Sequence, residues 1–388
     1  MKVLWASLLS LCVFSAAGAE DVARAYNRFG FQLLGQCRQS LAKTNFFLSP
    51  AGLGFALSMV QNGAKGDTLR EMRAALRVEG IPPAALNGGN KELLARLSRL
   101  DPRIKLEIAN SLWLGKEAVI KPDFIAANKE AYDAEVSNAD FKDPAIVNHI
   151  NDWVSARTHG KITQMVQAPL DPLLRLIVLN AIYFKADWAA PFATNLTRDL
   201  PFTLAGGQAV RHPRMSRTAS YRYLEQDGFQ AVELPYSDGS VSMYVFLPKG
   251  GLDAFLGSLT AENFEQWIGR MESRRGTLEL PRFKLENEYN LKAVLASMGM
   301  PLAFTARADF SGMSDEPLCI SWVKQKTYVD VNEQGTEAAA VTGIGMRAMA
   351  VHVEPPPFQM VVDRPFFVAI RERQTGLILF LGAIFDPR

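Results

Sequence analysis

Residues 176–184, Leu-Ile-Val-Leu-Asn-Ala-Ile-Tyr-Phe, form an apolar run broken only by Asn180. A strand with one wet face alternates, so an unbroken run of this length suits a strand covered on both faces. Asn180 then becomes a buried amide that needs a hydrogen-bond partner. A second element is equally enclosed. Ser49-Pro50 reads as a helix start, serine as N-cap and proline at the first helical position. Residues 50–62 are apolar nearly all round, so the helix they form should be central. A strand over 322–331 turns Val323, Gln325, Thr327, Val329 and Val331 inward, which makes Gln325 a second polar group on a core face.

Around these elements the chain mixes helices and strands. Val22, Tyr26, Phe29, Leu33, Cys37 and Leu41 recur at three and four, which predicts a helix over 21–42 with one buried face. Thr68 and Glu71 suit a capping box for the next helix. Residues 80–90 read as a Pro/Gly loop and 92–100 as a helix. A strand over 104–114 and helices over 122–132 and from Asp143-Pro144 to Gly160 follow. Residues 229–248 predict a hairpin around Ser237-Asp238-Gly239. Leu278, Leu280, Phe283 and Leu285 suit a strand bent at Pro281. Leu291, Val294, Leu295 and Met298 suit a short helix, and 366–370 and 377–384 are apolar strands. Without regular alternation of strand and helix, α+β is expected rather than a doubly wound sheet.

Among 388 residues no linker is evident, so residues 20–388 are read as one domain. Residues 1–19 read as a secretory signal. Lys2 precedes an apolar stretch too short to span a bilayer, and Ala17-Gly18-Ala19 offers a small-residue cleavage site before Glu20. A secreted or periplasmic protein is expected. The net charge of +2 becomes about +1 once Lys2 is removed, which gives no electrostatic case for nucleic acid or membrane as a partner. Cys37 and Cys319 are read as two core residues.

The stretch 332–353 fits no ordinary element. Ala338-Ala339-Ala340 favours helix, whereas Gly335, Gly343 and Gly345 oppose it. At period two, Thr336, Ala338, Ala340, Thr342, Ile344 and Met346 share one face, small or apolar throughout. Both charges, Glu337 and Arg347, fall on the other. Such a loop is able to become a half-buried strand.

Catalytic signatures are absent. His149, His159, His212 and His352 lie in no metal-binding spacing, and there is no His-Glu-x-x-His or Gly-x-Ser-x-Gly. No metal site, cofactor or enzymatic activity is expected.

Several strings together resemble the serpins over nearly the whole chain after the signal. They are Asn45-Phe-Phe-Leu-Ser-Pro50, Gly63-Ala-Lys-Gly66 with Thr68, Ile150-Asn-x-Trp-Val154 with Thr158-x-Gly-Lys-Ile162, and Leu179-Asn-Ala-Ile-Tyr-Phe-Lys185 with Trp188 and Pro191-Phe192. Leu280-Pro-Arg-Phe-Lys284, Asn332-Glu-x-Gly-Thr-Glu-Ala-Ala-Ala340, Asp363-Arg-Pro-Phe366 and Phe380-Leu-Gly382 complete them. The resemblance implies three β-sheets, eight or nine helices and a mobile reactive-centre loop over about residues 333–357. It implies an inhibitor of serine endopeptidases that acts as a suicide substrate, here an exported one of bacterial type and monomeric. The alternative within the family is a non-inhibitory binding or chaperone-like protein.

By family pattern the hinge is Glu333, Gly335, Thr336, Glu337, Ala338, Ala339, Ala340 and Thr342. The cleaved bond falls at Met349-Ala350, with Arg347 as the alternative. Met349 implies an elastase-, chymotrypsin- or subtilisin-like target, and Arg347 a trypsin-like one. Ser49, Gly52, Asn180 and Gln325 fall at the shutter beneath the central sheet, and Trp188 at the breach where the loop would enter. Two positions depart from the pattern: Gly52 stands where a serine is expected, and Gln325 where a histidine is expected. Altered gating is the expected consequence, since Gln325 retains the ability to donate to Asn180.

Overall fold

The computed structural model describes residues 17–40, 43–336 and 356–388. Among these residues there are nine α-helices: α1 Ala17–Ser40, α2 Pro50–Gln61, α3 Gly66–Ala75, α4 Pro83–Leu97, α5 Pro122–Tyr132, α6 Ala145–Arg157, α7 Leu252–Ser258, α8 Ala261–Gly269 and α9 Lys292–Ser297. The strands are β1 Phe46–Leu48, β2 Ile104–Gly115, β3 Glu135–Ala139, β4 Leu176–Asp187, β5 Arg198–Thr203, β6 Ala209–Glu225, β7 Phe229–Tyr236 and β8 Val241–Pro248. They continue with β9 Glu272–Pro281, β10 Phe283–Asn290, β11 Ile320–Val331, β12 Gly335–Thr336, β13 Phe358–Val361, β14 Phe366–Glu372 and β15 Ile378–Ile384.

The apolar run over 176–184 lies in β4, whose two faces enter two different cores. Leu176, Val178, Ile182, Phe184 and Ala186 join the main core with α1 and α2. Ile177, Leu179 and Ala181 join a smaller core with Trp113 and the α6 residues Ile150 and Val154. Each face therefore selects apolar side chains independently, which removes the alternation a one-sided strand would show. β4 lies inside a six-stranded sheet in the order β10-β11-β12-β4-β2-β3.

A second hydrogen-bonded sheet has nine strands, ordered β1-β15-β14-β8-β7-β6-β9-β13 with β5 on β6. Its two lobes meet only where β6 pairs with β7 over Tyr223–Glu225. With the central sheet these lobes make the three sheets that the resemblance implies.

Three local expectations are corrected. Residues 83–97 form one helix, not a loop followed by a helix. A Cβ on Gly89 would sit 2.7 Å from the Gly18 carbonyl oxygen and 2.8 Å from Val22, so this glycine serves close packing of α4 on α1 rather than a turn. Thr68 and Glu71 form no capping box. α3 begins at Gly66, and these two side chains instead accept from the backbone N–H groups of Asp309 (2.9 Å) and Leu302 (2.9 Å). The bent strand at Pro281 is two strands, β9 and β10, in different sheets. Cys37 is buried and Cys319 partly so, and both are free. The expected signal junction, Ala19–Glu20, lies within α1, where Ala19 is buried.

Candidate functional site

β4 and β11 run parallel and pair from Leu176↔Ile320 to Tyr183↔Tyr328. Beyond Tyr183 they diverge, and the two-residue strand β12 lies between them. Thr336 pairs with Val331 on one side and Ala186 on the other, antiparallel to both, and Gly335 pairs with Asp187. The pair β4–β11 thus has a closed half and a wedged half.

The closed half is held by amides. Ser49 caps α2: its Oγ accepts from Gly52 N at 3.1 Å and donates to the Leu379 carbonyl at 2.7 Å. Gln325 Oε1 accepts from Ser49 N at 2.9 Å. Gln325 Nε2 donates to Ser49 O at 2.9 Å and to Asn180 Oδ1 at 2.7 Å. Asn180 Nδ2 then donates to Asn110 Oδ1 at 2.7 Å. The chain of bonds links α2, β11, β4 and β2, and every member is buried. Asn110 escapes sequence reasoning. Its one signal is an amide amid apolar neighbours in a strand, the same signal that marks Asn180.

Gly52 completes this arrangement. A Cβ there would lie 2.6 Å from Asn180 Oδ1 and 2.8 Å from Nδ2. Serine would not fit while Asn180 holds this position. The two departures from the family pattern therefore fit each other: a glycine makes room for the Asn180 amide, and a glutamine bonds it.

The wedged half is held by a carboxylate and by aromatic rings. Glu333 is buried, and its Oε1 accepts from Arg282 Nε at 2.9 Å, from Arg282 Nη2 at 2.5 Å and from the Thr197 hydroxyl. Burial pushes this carboxyl upward, but the bonds from Arg282 and Thr197 outweigh it and hold the group below the usual glutamate range. Trp188 Nε1 donates to Asn332 O at 2.9 Å, and Trp188 N donates to Gln334 O at 2.8 Å. The indole stacks on Tyr236 at 4.4 Å, and the Tyr236 hydroxyl meets Thr336 Oγ1 at 3.0 Å. Burial pushes the Tyr236 phenol well above its ordinary range, so it stays protonated. Gly335 has φ +153°, and a Cβ there would run into the Ala186 carbonyl oxygen. Only glycine lets the wedge approach β4 this closely. Arg282 and Tyr236 were not singled out from the sequence, because their partners lie far away along the chain.

Lys326 on β11 ties the sheet to the segment that crosses it. Its Nζ donates to Gln164 O at 2.9 Å and pairs with Glu286 at 3.0 Å. Of the expected site residues, Glu337, Ala338, Ala339, Ala340, Thr342, Arg347, Met349 and Ala350 lie outside the described residues.

The site is thus a sheet with two strands parted at one end, Gly335 and Thr336 between them, and a buried polar network holding the rest closed. Comparison with known proteins gives that site its context. Residues 24–387 match the family model described as serpin, serine protease inhibitor. Iripin-5 of Ixodes ricinus is 35% identical, covering 99% of this chain and 99% of its own. The leukocyte elastase inhibitor of Bos taurus is 36% identical over 95% of this chain and 100% of its own. Among solved structures, human thyroxine-binding globulin with thyroxine superposes at TM-score 0.88 with 28% identity, covering 96% and 100% of the two chains. The thermophilic serpin tengpin in its native state superposes at 0.85, also with 28% identity, covering 95% and 94%. By sequence over nearly its full length and by fold, the chain belongs to the serpin family.

Proposed function

We propose that this chain inhibits serine endopeptidases as a suicide substrate, cleaved at Met349-Ala350 and then inserting its loop into the central sheet. The observation that carries the reading is β12, which is already antiparallel to both β4 and β11. Continuing its register two residues at a time sets Ala338 between Val329 and Phe184, and Ala340 between Thr327 and Ile182. Thr342 then arrives between Gln325 and Asn180, which face each other in the uncleaved sheet. Insertion on this register must break the Gln325–Asn180 bond, and the Thr342 hydroxyl is there to replace it. Every residue on the inward face of the loop is small or apolar as far as Met346, so none brings a charge into the core.

The energy is adequate. About 12 inserted residues at ~1 kcal/mol net per hydrogen bond, with ~2 kcal/mol each for burying Ile344 and Met346, give a driving force of about 16 kcal/mol. That is comparable with the stability of a whole domain, enough to distort a protease still attached through its acyl bond.

Incubation with chymotrypsin, elastase, subtilisin and trypsin tests the proposal. The expected products are a denaturant-resistant adduct and a released fragment beginning at Ala350; a fragment beginning at Ala348 would instead mark Arg347 as the cleaved residue and trypsin as the fitting enzyme. The nicked chain is expected to melt above the intact one. A nicked chain that melts no later has no stored energy and is not an inhibitor of this kind; that outcome favours the non-inhibitory binding reading. Export with cleavage after Ala19 belongs to the same proposal, and a mature N-terminus at Glu20, leaving α1 to begin there, is its test.

A further inference from the structure

Behind the breach lies a cavity of about 310 Å³ whose walls carry three guanidinium groups, Arg217, Arg222 and Arg373, and one carboxylate, Glu233. Glu233 is buried and has four polar partners. Its Oε1 accepts from Ser242 Oγ at 2.8 Å and Tyr244 OH at 3.2 Å, and lies 3.4 Å from Arg373 Nε; its Oε2 accepts from Arg222 Nη1 at 2.8 Å. None of these contacts is made by Arg217. That guanidinium donates through Nε to Tyr221 OH at 2.9 Å and lies 5.0 Å from the ring centres of Phe192 and Tyr221. Among the described residues no carboxylate pairs with it. The lining therefore carries two positive charges in excess. The remaining walls include Trp188, Ala219, Tyr221 and Pro235, which offer apolar surface. A concave apolar site with a few convergent polar groups is the usual form of a small-molecule pocket, and guanidinium groups are suited to carboxylates.

We propose that this cavity binds a small aromatic carboxylate, with its ring against Trp188 and Pro235 and its anionic group on Arg217. The occupant would share a wall with the hinge, since Trp188 also holds the carbonyls of Asn332 and Gln334 and stacks on the tyrosine that bonds Thr336. A bound ligand should therefore slow loop insertion. That consequence rests on the inhibitory reading, whereas the binding itself does not.

Calorimetry on the full, uncleaved chain with no protease present tests the binding, using indole-3-acetate as probe and its neutral analogue tryptophol as control. One-to-one binding of indole-3-acetate is expected, weakened tenfold or more in Arg217→Gln, with tryptophol bound at least tenfold more weakly. No saturable binding of indole-3-acetate, equal affinity for tryptophol, or an unchanged affinity in Arg217→Gln would each overturn the proposal. Should Arg217→Gln fail to fold, Ala219→Leu, which fills the cavity without altering its charge, is expected to abolish binding, and undiminished binding in it is equally fatal. A chain that binds indole-3-acetate but traps no protease leaves this site standing and removes only the inhibitory reading. The reverse result removes only the site.

Discussion

The two halves of the β4–β11 pair are secured by different physics. At the closed half a line of neutral amides, Asn110, Asn180 and Gln325, joins the strands to Ser49 on α2, and all are fully enclosed. At the wedged half an ion pair and stacked rings hold a segment that has already parted the strands. Neutral bonds in a dry site are insensitive to pH and salt but costly to orphan. The charged latch answers to both. Along β4–β11 the sheet is therefore fixed by neutral bonds, while its wedged end responds to pH and salt.

Placing a charge in the wedge should break the comparison most severely. Thr336 is fully buried between strands. Thr336→Arg must either bury an unpaired ion, at about 3–5 kcal/mol, or hold the wedge out of the sheet. In either case entry fails, and the chain is expected to be cut by target proteases at least tenfold more often than it traps them. Titration of protease activity against added chain reads this ratio directly. Undiminished one-to-one trapping by the variant would refute entry through β12.

Gln325→Ala attacks the closed half. It orphans Asn180 Oδ1 together with the backbone groups of Ser49, for an expected loss of about 2–4 kcal/mol measured by urea unfolding. Because the bond lost is the one insertion must break, the variant should also convert spontaneously to a heat-stable inserted form faster than the parent. Loss of stability without faster conversion would mean that this bond supports the fold but does not gate the sheet.

Glu333→Gln tests the contrast in pH response. The carboxyl is held below its ordinary value, near 4.5, so it stabilises the folded chain fully above that range, and its contribution is lost as pH falls below it. The parent should lose breach stability on acidification. Glu333→Gln should be weaker by about 1–2 kcal/mol at neutral pH and show a flatter acid limb in melting temperature against pH. Asn180→Asp is the opposite test, because it introduces a titrating group where the amide line has none, and a steep new pH dependence is expected.

How much of this was legible follows from where each signal resides. β4, α2 and the β7–β8 hairpin were visible because enclosure on both faces, a Ser-Pro start and a glycine turn are local features. Asn180 and Gln325 stood out as polar residues on apolar faces. The α4 helix was hidden because Gly88 and Gly89 oppose helix locally, and the contact of Gly89 with α1 that favours it is tertiary. β6 was hidden for another reason: most of its 17 residues are exposed or half-exposed, so no apolar alternation marks them. Partners such as Arg282 for Glu333 and Asn110 for Asn180 are separated by 51 and 70 positions, and no spacing rule joins them.

The smallest expected effect lies inside the closed half, at Lys326 beside Gln325. Its ammonium reaches across the face of the sheet to a carbonyl of the segment leading from α6 to β4, and the residue is only 9% exposed. On the proposed register a strand inserted between β4 and β11 would separate Lys326 from Ala181, next to that segment. Lys326→Ala removes one bond to a carbonyl and one partly exposed pairing with Glu286, a loss of about 1 kcal/mol. If the tie restrains the crossing segment, its removal should speed insertion after cleavage even as it lowers stability, and the number of protease molecules trapped per chain should not fall. Lys326→Met preserves most of the side-chain bulk without the charge, so it separates the tie from simple packing. Should the Met variant insert at the parental rate while the Ala variant is faster, packing rather than the Gln164 bond restrains the segment, and control of opening rests on the amide line and the carboxylate latch alone.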